Sequence, residues 1–280
     1  MNSIADVLRE ASQILQNADV PEARREAGSL LSFVIGKDRT FLIAHADDEL
    51  DRRDVDQFRK AVERRAAGEP LQYITGVQDF FGREFRVTPD VLIPRPETEL
   101  LVEAALEVNR AATHICDVGT GSGCIAITLL CELNAARAVA LDKSPAALEV
   151  AKFNARKLSV AERAEFVVSD CFDSLDAREF DLIVSNPPYV SAGVLAELQR
   201  EVRDHEPLLA LSPGPDGLSL IRRLIHEAPH FLKQNGHLIM EIGFDQSETV
   251  PQLIDANVWE LLEIRPDLQC IPRIVILRKR

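Results

Sequence analysis

The sequence lacks the features that mark secreted, membrane-embedded and zinc-bound proteins. Its five cysteines include no Cys-x-x-Cys pair, which argues against a disulfide framework or a zinc site and predicts no bound metal. No apolar run approaches the roughly 20 residues of a membrane-spanning helix. The opening stretch, MNSIADVLREASQIL, mixes charged and apolar residues at helical spacing and does not resemble a signal peptide. We therefore expect a cytoplasmic protein with no membrane partner.

An excess of basic residues is also missing. The chain carries 45 acidic and 32 basic residues, for a formal net charge of −13. Proteins that bind nucleic acids need a basic face against the phosphates, so this balance disfavours a direct nucleic-acid partner, although a local basic patch would be compatible with it. The 46% hydrophobic and 28% charged residues are typical of a globular protein with a substantial core.

The motifs of two common hydrolase chemistries are absent as well. No serine lies in Gly-x-Ser-x-Gly, and no histidine pair lies in His-Glu-x-x-His. His226 and His230 are four residues apart on a predicted helix, but nothing around them suggests metal ligation. We interpret them as a solvated or packed pair.

Residues 1–75 are predicted to form a small helical domain. Apolar residues at helical spacing favour helices over MNSIADVLREASQIL, from Pro21 to Gly36, and over Asp54–Ala67. After Gly76, the segments VQDFF and REFRVT predict a β-hairpin, which we interpret as a linker over residues 76–92. Residues 93–280 are predicted to form the second domain.

Strands and helices alternate from His114 onward. The predicted strands are THICDV, RAVALD, AEFVVSD, FDLIVS, HLIMEIGF and two in WELLEIRPDLQCIPRIVILRK; the predicted helices include SGCIAITLLCEL, PAALEVAKFNARKL, SLIRRLIHEAPHFL and VPQLIDAN. Such alternation is typical of an α/β fold, here with a mostly parallel seven-stranded sheet and helices on both faces. The last two strands lie too close for a crossover helix, so they should pair antiparallel at one edge.

A glycine-rich loop follows the first strand of this sheet. It reads Asp117-Val118-Gly119-Thr120-Gly121-Ser122-Gly123, with glycines that let the backbone turn tightly and approach a ligand. The spacing is neither the dinucleotide pattern Gly-x-Gly-x-x-Gly nor a P-loop, which requires a lysine. It resembles the nucleotide loop of S-adenosylmethionine-dependent methyltransferases.

Two further acids end the next two strands. Asp142 is placed to accept the hydroxyls of a ribose, and Asp170 lies where methyltransferases of this type often meet the adenine. Ligands bind at the carboxyl ends of strands in open α/β sheets, so the loop and both acids indicate one cofactor site.

Asn186-Pro187-Pro188-Tyr189 ends the fourth strand, which should lie beside the first. Methyl transfer to a planar amide or amine needs acceptors for its two N–H bonds. The Asn186 side-chain oxygen and the Pro187 backbone carbonyl could supply them, and Tyr189 could form an aromatic wall. With no strong base in the motif, we expect catalysis by positioning and by polarisation of the N–H bonds.

Several segments together resemble the HemK/PrmC family of protein-(glutamine-N5) methyltransferases. These are GEPLQYITG (68–76), the hairpin with FRV (85–87), VLIPRPETELLVE (91–103), DVGTGSGCIAI (117–127), SNPPYV (185–190), HEPLLAL (205–211) and DGL (216–218). The resemblance implies a Rossmann-like class I fold and methylation of the glutamine in the Gly-Gly-Gln motif of class I peptide-chain release factors, in support of translation termination. It implies S-adenosyl-L-methionine as cofactor and S-adenosyl-L-homocysteine as product.

The resemblance also implies the site residues. Gly119, Thr120, Gly121, Ser122, Gly123, Asp142, Asp170, Cys171 and Asn186 would bind the cofactor, and Asn186, Pro187, Pro188 and Tyr189 would hold the glutamine. Many relatives have an aromatic residue where this chain has Cys171, so either Phe172 reaches the adenine or the adenine wall is thinner. A ribosomal-protein glutamine methyltransferase is the alternative, followed by a nucleic-acid amino methyltransferase. The helical domain would recognise the protein substrate.

Overall fold

A computed structural model describes residues 3–280 as two compact units. The first reaches from the first described residue to Val77 and includes Gln199–His205, and the second comprises Gln78–Leu198 and Glu206–Arg280. The predicted division into residues 1–75, 76–92 and 93–280 stays a prediction of where the functional domains meet. None of the helices in the described part of the chain combines the length and apolarity needed to cross a bilayer.

The secondary structure follows the alternation expected from the sequence. The helices are α1 (Ile4–Asn17), α2 (Ala23–Ile35), α3 (Arg39–Ala44), α4 (Arg52–Ala66), α5 (Leu71–Thr75), α6 (Glu99–Val108), α7 (Cys124–Glu132), α8 (Pro145–Lys157), α9 (Arg200–His205), α10 (Leu208–Leu211) and α11 (Ser219–Glu227). The strands are β1 (Val77–Phe80), β2 (Arg83–Arg86), β3 (His114–Val118), β4 (Arg137–Asp142), β5 (Ala164–Val168), β6 (Phe180–Ser185), β7 (Leu232–Glu241), β8 (Trp259–Pro266) and β9 (Pro272–Lys279).

The first unit is a helical module with its own apolar core. The apolar faces of α1, α2 and α4 supply most of the buried side chains, including Leu15, Leu30 and Phe58. Arg65 is also buried and forms ion pairs with Glu26 and, at 2.8 Å, with Glu201 on α9. Because a buried charge is costly unless it is paired, these contacts hold α9 within this unit.

The second unit contains a seven-stranded sheet in the order β5-β4-β3-β6-β7-β9-β8. Neighbouring strands from β5 to β7 pair in parallel, whereas β9 pairs antiparallel with both β7 and β8. The predicted fold class and the antiparallel edge are therefore confirmed. Side chains alternate between two cores, since Leu182 and Val184 lie in one and Ile183 lies in the other.

The chain direction across the sheet reverses between β3 and β6. From β3 the chain continues to β4 and β5 on one side and later returns to β6 and β7 on the other. This switch point brings the carboxyl ends of β3 and β6 together, and the Ser185 hydroxyl donates a hydrogen bond to the Val118 carbonyl at 2.7 Å. A crevice for ligands forms at such a point.

Two helix predictions differ from the structure, and a short helix was missed. The helix expected in VPQLIDAN is only a 3₁₀ turn, Val250–Leu253, which contains Pro251. The helix expected over SLIRRLIHEAPHFL ends at Glu227, and a 3₁₀ turn with Pro229 follows it. Proline lacks the N–H that helix continuation requires. The short α3 was not anticipated, because six residues give too little periodicity to detect.

Candidate active site

A cavity of about 840 Å3 lies at the carboxyl ends of β3, β4, β5 and β6. Its wall includes most of the residues predicted to bind the cofactor, namely Gly119, Thr120, Gly121, Ser122, Asp142, Asp170, Cys171 and Asn186, together with Pro188. Residues far apart in the sequence therefore meet at one site. The volume falls in the range of roughly 300–1,000 Å3 that small-molecule sites occupy.

Asp142 is joined to the glycine-rich loop by a hydrogen bond. One carboxylate oxygen accepts the backbone N–H of Gly121 at 2.8 Å, and the other accepts that of Ser144 at 2.8 Å. Burial raises the pKa of Asp142, and the backbone hydrogen bonds oppose that rise. Each carboxylate oxygen keeps a lone pair for a further donor, as the recognition of ribose hydroxyls requires.

Asp117 lies beneath the same loop and is fully buried. Its Oδ2 accepts the Thr120 hydroxyl at 2.7 Å and the Ala126 backbone N–H at 3.2 Å, so this carboxylate connects the loop with the first turn of α7. Burial raises the pKa of Asp117 to about 7. Among residues 3–280, no hydrogen-bond partner reaches its Oδ1.

Gly123 differs from the other predicted loop residues because it is not on the cavity wall. Its φ is +82°, and a Cβ atom at this position would lie 2.6 Å from Cδ1 of Ile127 and 3.1 Å from Cβ of Ala151. The glycine thus allows the loop to enter α7 in close contact with α8. Its role here is packing, whereas at Gly121 an added Cβ would meet no atom within 4 Å.

Asp170 lies at the rim of the cavity with its carboxylate already engaged. Oδ2 accepts Lys143 Nζ at 2.7 Å, and Oδ1 accepts an Arg223 guanidinium nitrogen at 2.9 Å. The bond from Lys143 contributes most to lowering the pKa of Asp170, and Arg223 adds to it. Arg223 also lines the cavity, although sequence reasoning had not singled it out.

The structure places Cys171, and not Phe172, beside the cavity. Phe172 is buried and stacks on Phe231 with ring centroids 4.9 Å apart. Burial raises the pKa of the Cys171 thiol to about 12, so this side chain stays neutral. Leu220 lines the same cavity and adds apolar surface to it.

The Asn-Pro-Pro-Tyr motif places only two of its side chains on the cavity wall, Asn186 and Pro188. Pro187 is buried, and the Tyr189 hydroxyl donates to Glu241 Oε1 at 3.3 Å. Asn186 Nδ2 donates to the Thr98 hydroxyl at 3.0 Å. The predicted contributions of the Pro187 carbonyl and of the Tyr189 ring to substrate binding stay predictions.

Thr98 and Glu241 are the residues near Asn186 that the sequence reasoning missed. Both are almost completely buried, with 2% and 1% of their surface exposed. Thr98 lies within the recognised segment VLIPRPETELLVE, but nothing in that segment indicates what it contacts. A stronger sign was available at Glu241, because an acid inside the apolar strand HLIMEIGF needs a specific partner if it faces the core.

The residues present fit S-adenosyl-L-methionine. Gly121 adopts a φ of +55° with open space beside it, so the backbone of the loop leaves room for a ligand. Asp142 offers acceptors to a ribose, Cys171 and Leu220 offer apolar contact, and Asn186 also lies on the cavity wall. The cavity is also large enough for a nucleoside joined to an amino acid.

The fold and this site define a methyltransferase with a class I, Rossmann-like domain. A family model for the methyltransferase small domain matches residues 96–202, and one for the PrmC N-terminal domain matches residues 6–76. Among solved structures, a methyltransferase from Pyrococcus furiosus has a TM-score of 0.52 at 14% identity, covering 79% of this chain and 98% of that one. The hMettl16 catalytic domain has a TM-score of 0.58 at 16% identity, covering 78% and 81%. These likenesses concern the fold alone.

Comparison with curated proteins identifies the family. A release factor glutamine methyltransferase from Koribacter versatilis is 43% identical, covering 95% of this chain and 94% of its own length. Another from Cereibacter sphaeroides is 46% identical, covering 98% of both chains. A bifunctional methyltransferase from Rickettsia felis is 38% identical, and this chain spans 58% of it. The chain belongs to the release factor glutamine methyltransferase family.

Proposed function

We propose that this enzyme transfers a methyl group from S-adenosyl-L-methionine to the side-chain amide nitrogen (N5) of the glutamine in the Gly-Gly-Gln motif of class I peptide-chain release factors. The observation that carries the proposal is the 43–46% identity to release factor glutamine methyltransferases over nearly the whole chain, including the helical module. The position of Asn186 on the wall of the cavity supports it. S-adenosyl-L-homocysteine would be the second product, and the reaction would support translation termination in the cytoplasm.

The cofactor, when bound, supplies an electrophilic methyl group on a sulfonium ion. The protein must then hold the glutamine amide so that the nitrogen lone pair points at that methyl group while both N–H bonds are accepted. Asn186 Oδ1 is one acceptor in our proposal, and the Pro187 carbonyl is the other. Polarising these bonds increases the nucleophilicity of an otherwise poor nucleophile.

Pro188 and Tyr189 would complete the substrate site from the same motif. Pro188 lies on the cavity wall, where its ring can contact the aliphatic part of a glutamine side chain. Tyr189 would contribute through its ring or, as its hydrogen bond to Glu241 suggests, by fixing the path of the motif. On the cofactor side, Gly119 to Ser122, Asp142, Asp170 and Cys171 would surround the nucleoside.

We also propose that the helical module contacts the release factor. Two of its apolar side chains are unusually exposed, Phe33 at 50% and Ile43 at 72%. Large exposed apolar side chains on a small module are common at protein-binding surfaces. Replacing both with serine should raise the KM for the release factor while leaving kcat and cofactor affinity unchanged.

The function is tested by substrate choice. The protein is incubated with labelled S-adenosyl-L-methionine and, separately, with a purified class I release factor, a purified ribosomal protein and a duplex DNA. We expect label on the release factor alone, and mass spectrometry should place it on the Gly-Gly-Gln glutamine. A release factor with asparagine at that glutamine is the control. Label on the ribosomal protein or DNA instead would replace our proposal with the corresponding alternative.

A further inference from the structure

A chain of buried hydrogen bonds connects Asn186 with a carboxylate outside the cavity wall. Asn186 Nδ2 donates to Thr98 Oγ1 at 3.0 Å, and Thr98 Oγ1 donates to Glu241 Oε2 at 2.7 Å. The Tyr189 hydroxyl donates to the second carboxylate oxygen, Oε1, at 3.3 Å. These four residues come from three separate places: a 3₁₀ turn at Pro96–Thr98, the segment after β6, which carries both Asn186 and Tyr189, and the end of β7.

The number of protons available in these hydrogen bonds fixes which end of the Asn186 amide faces Thr98. A threonine hydroxyl has a single proton, and an ionised carboxylate can only accept. Thr98 must therefore give its proton to Glu241, and it presents only lone pairs to Asn186. Those lone pairs can be satisfied by the amide NH2 group and not by the amide oxygen. Among residues 3–280, no donor is found for Asn186 Oδ1, which is left for an incoming group.

We propose that ionised Glu241, acting through Thr98, holds the Asn186 amide with its oxygen towards the methyl-accepting substrate. Glu241 and Thr98 are then positioning residues, and the inference rests on the proposed function only in naming a glutamine amide as that substrate. An inverted Asn186 would present NH2 to the NH2 of the substrate, so two donors would face each other. The orientation therefore decides whether the site can accept a planar amide.

Glu241 does not itself lie on the cavity wall. Only 1% of its surface is exposed, and Thr98, which donates to it, lines the cavity. An amide NH2 group does not relay protons as a hydroxyl does, so a proton from the substrate could reach this carboxylate only through the Thr98 hydroxyl and not through Asn186. The titration of the Asn186 side chain described below tests positioning independently of any proton transfer.

The charge state of Glu241 provides the test. Burial raises its pKa to about 7, while the bonds from Thr98 and Tyr189 and the charge of Arg273 oppose that rise and Glu97 adds to it. The Cys124 thiol also interacts with Glu241, and it stays protonated because burial raises its pKa to about 12. Protonated Glu241 could donate to Thr98, which would free Thr98 to donate to Asn186 Oδ1 and would remove the bias. Activity should therefore rise as the pH increases through about 7.

The first experiment compares three variants at saturating cofactor, with release factor as substrate. Thr98→Val, which keeps the shape and removes the hydroxyl, should lower kcat about tenfold to a hundredfold, with little change in KM or in cofactor affinity. Thr98→Ser should restore kcat to within about threefold of the wild type. Thr128→Val is the matched control, because the Thr128 hydroxyl is also buried and has no partner among residues 3–280. Equal kcat for Thr98→Val and wild type, or no recovery in Thr98→Ser, would overturn the proposal.

The second experiment uses Glu241→Gln. A glutamine has one accepting oxygen for two hydroxyls and no ionisation, so the rise of kcat around pH 7 should disappear. Burial also raises the pKa of Asp117 to about 7, and Asp117 is unchanged in this variant. An inflection that persists in Glu241→Gln at its full wild-type amplitude therefore belongs to another group and contradicts our assignment. Complete loss of activity at every pH, with Thr98→Val fully active, would instead indicate a direct catalytic role for Glu241.

A third measurement needs neither substrate nor turnover. In protein labelled with ¹⁵N-asparagine, the side-chain NH2 resonances of Asn186 can be assigned by their loss in Asn186→Ala. They should shift with pH around a midpoint near 7 in the wild type and should not shift in Glu241→Gln. If the wild type fails to methylate the release factor, the proposed function is wrong, while this titration still decides the orientation of Asn186. A pH-independent resonance in the wild type would refute that orientation mechanism.

Discussion

The two ends of the sheet treat carboxylates in opposite ways. At the carboxyl ends of the strands, Asp117 and Glu241 are fully buried, and burial raises the pKa of each to about 7. At the other end, partial burial alone would raise the pKa of Asp181, but hydrogen bonds from Lys233 and from the backbone of Thr113 and His114 outweigh it and lower the pKa to about 2. The buried positions at the carboxyl ends disfavour a negative charge, unlike the partly exposed Asp170 at the same end, whereas the site of Asp181 favours one.

This difference separates stability from function. Asp181 at the start of β6 accepts bonds from Lys233 on β7 and from the backbone at the start of β3, so it joins three adjacent strands. Asp117 and Glu241 instead hold the cofactor loop and, in our proposal, Asn186. Asp181 stabilises the fold, and its removal should not change the chemistry. Asp117 and Glu241 lower the stability when ionised, and we infer that their value lies in the groups that they position.

The largest expected effect concerns the functional end. Asn186→Ala should lower turnover about a hundredfold or more, because it removes the acceptor that, in our proposal, polarises the substrate amide. Cofactor affinity, measured by calorimetry, should change little. Asn134→Ala, at an exposed position, is the control and should behave as the wild type. Retained turnover in Asn186→Ala would show that this residue does not orient the amide.

The next prediction concerns the cost of burying Asp117. Because its pKa is higher in the folded protein than in the unfolded chain, the free energy of unfolding should fall as the pH rises from about 4 to 7. Between pH 5 and pH 7, the free energy of unfolding should therefore fall by about 2 kcal/mol less in Asp117→Asn than in the wild type. Urea unfolding at both pH values measures this difference. Asp176→Asn, at an exposed position, should leave the pH dependence intact. An unchanged slope in Asp117→Asn would show that this carboxylate pays no such cost.

Asp181 should show the opposite sign. Its lowered pKa means that its stabilisation is complete above about pH 4 and is lost as the pH falls through 2. At pH 7, Asp181→Asn should lower the free energy of unfolding by about 1 to 2 kcal/mol, and at pH 2 most of this difference from the wild type should be lost. A deficit that is equal at both pH values would point to packing and not to charge.

The smallest effect tests the backbone near the cavity. Gly123→Ala should destabilise the protein by about 1 to 2 kcal/mol, since its φ is +82° and the new Cβ would meet Ile127. Gly28→Ala is the counterpart in α2, where an added Cβ meets no atom within 4 Å, and it should stabilise by roughly 0.5–1 kcal/mol. Thermal unfolding of both variants checks the pair. A neutral result at Gly123 would mean that α7 and α8 can separate without cost.

Local patterns predicted the strands, the longer helices and most of the residues that line the cavity at the ends of the strands. The seven strands and the glycine-rich loop were visible because their signatures lie within a few consecutive residues. The contact between Thr98 and Glu241 could not be predicted, because 143 positions separate them in the sequence. A hydrogen bond between residues so far apart in the sequence produces no local or periodic pattern. Phe172 shows the same limit, because its stacking partner, Phe231, lies far from it in the sequence.

The placement of β9 has a consequence for synthesis of the protein. Glu241 pairs with Ile274 in the sheet, so the strand that carries this carboxylate gains its outer neighbour only when residues 272–279 have left the ribosome. A nascent chain that stops before them leaves the edge of β7 unpaired and exposes Glu241, which is buried in the folded protein. Unpaired strand edges favour aggregation. We expect methyl transfer to appear late during translation, after the cofactor loop has formed, so that incomplete chains are unable to modify their target.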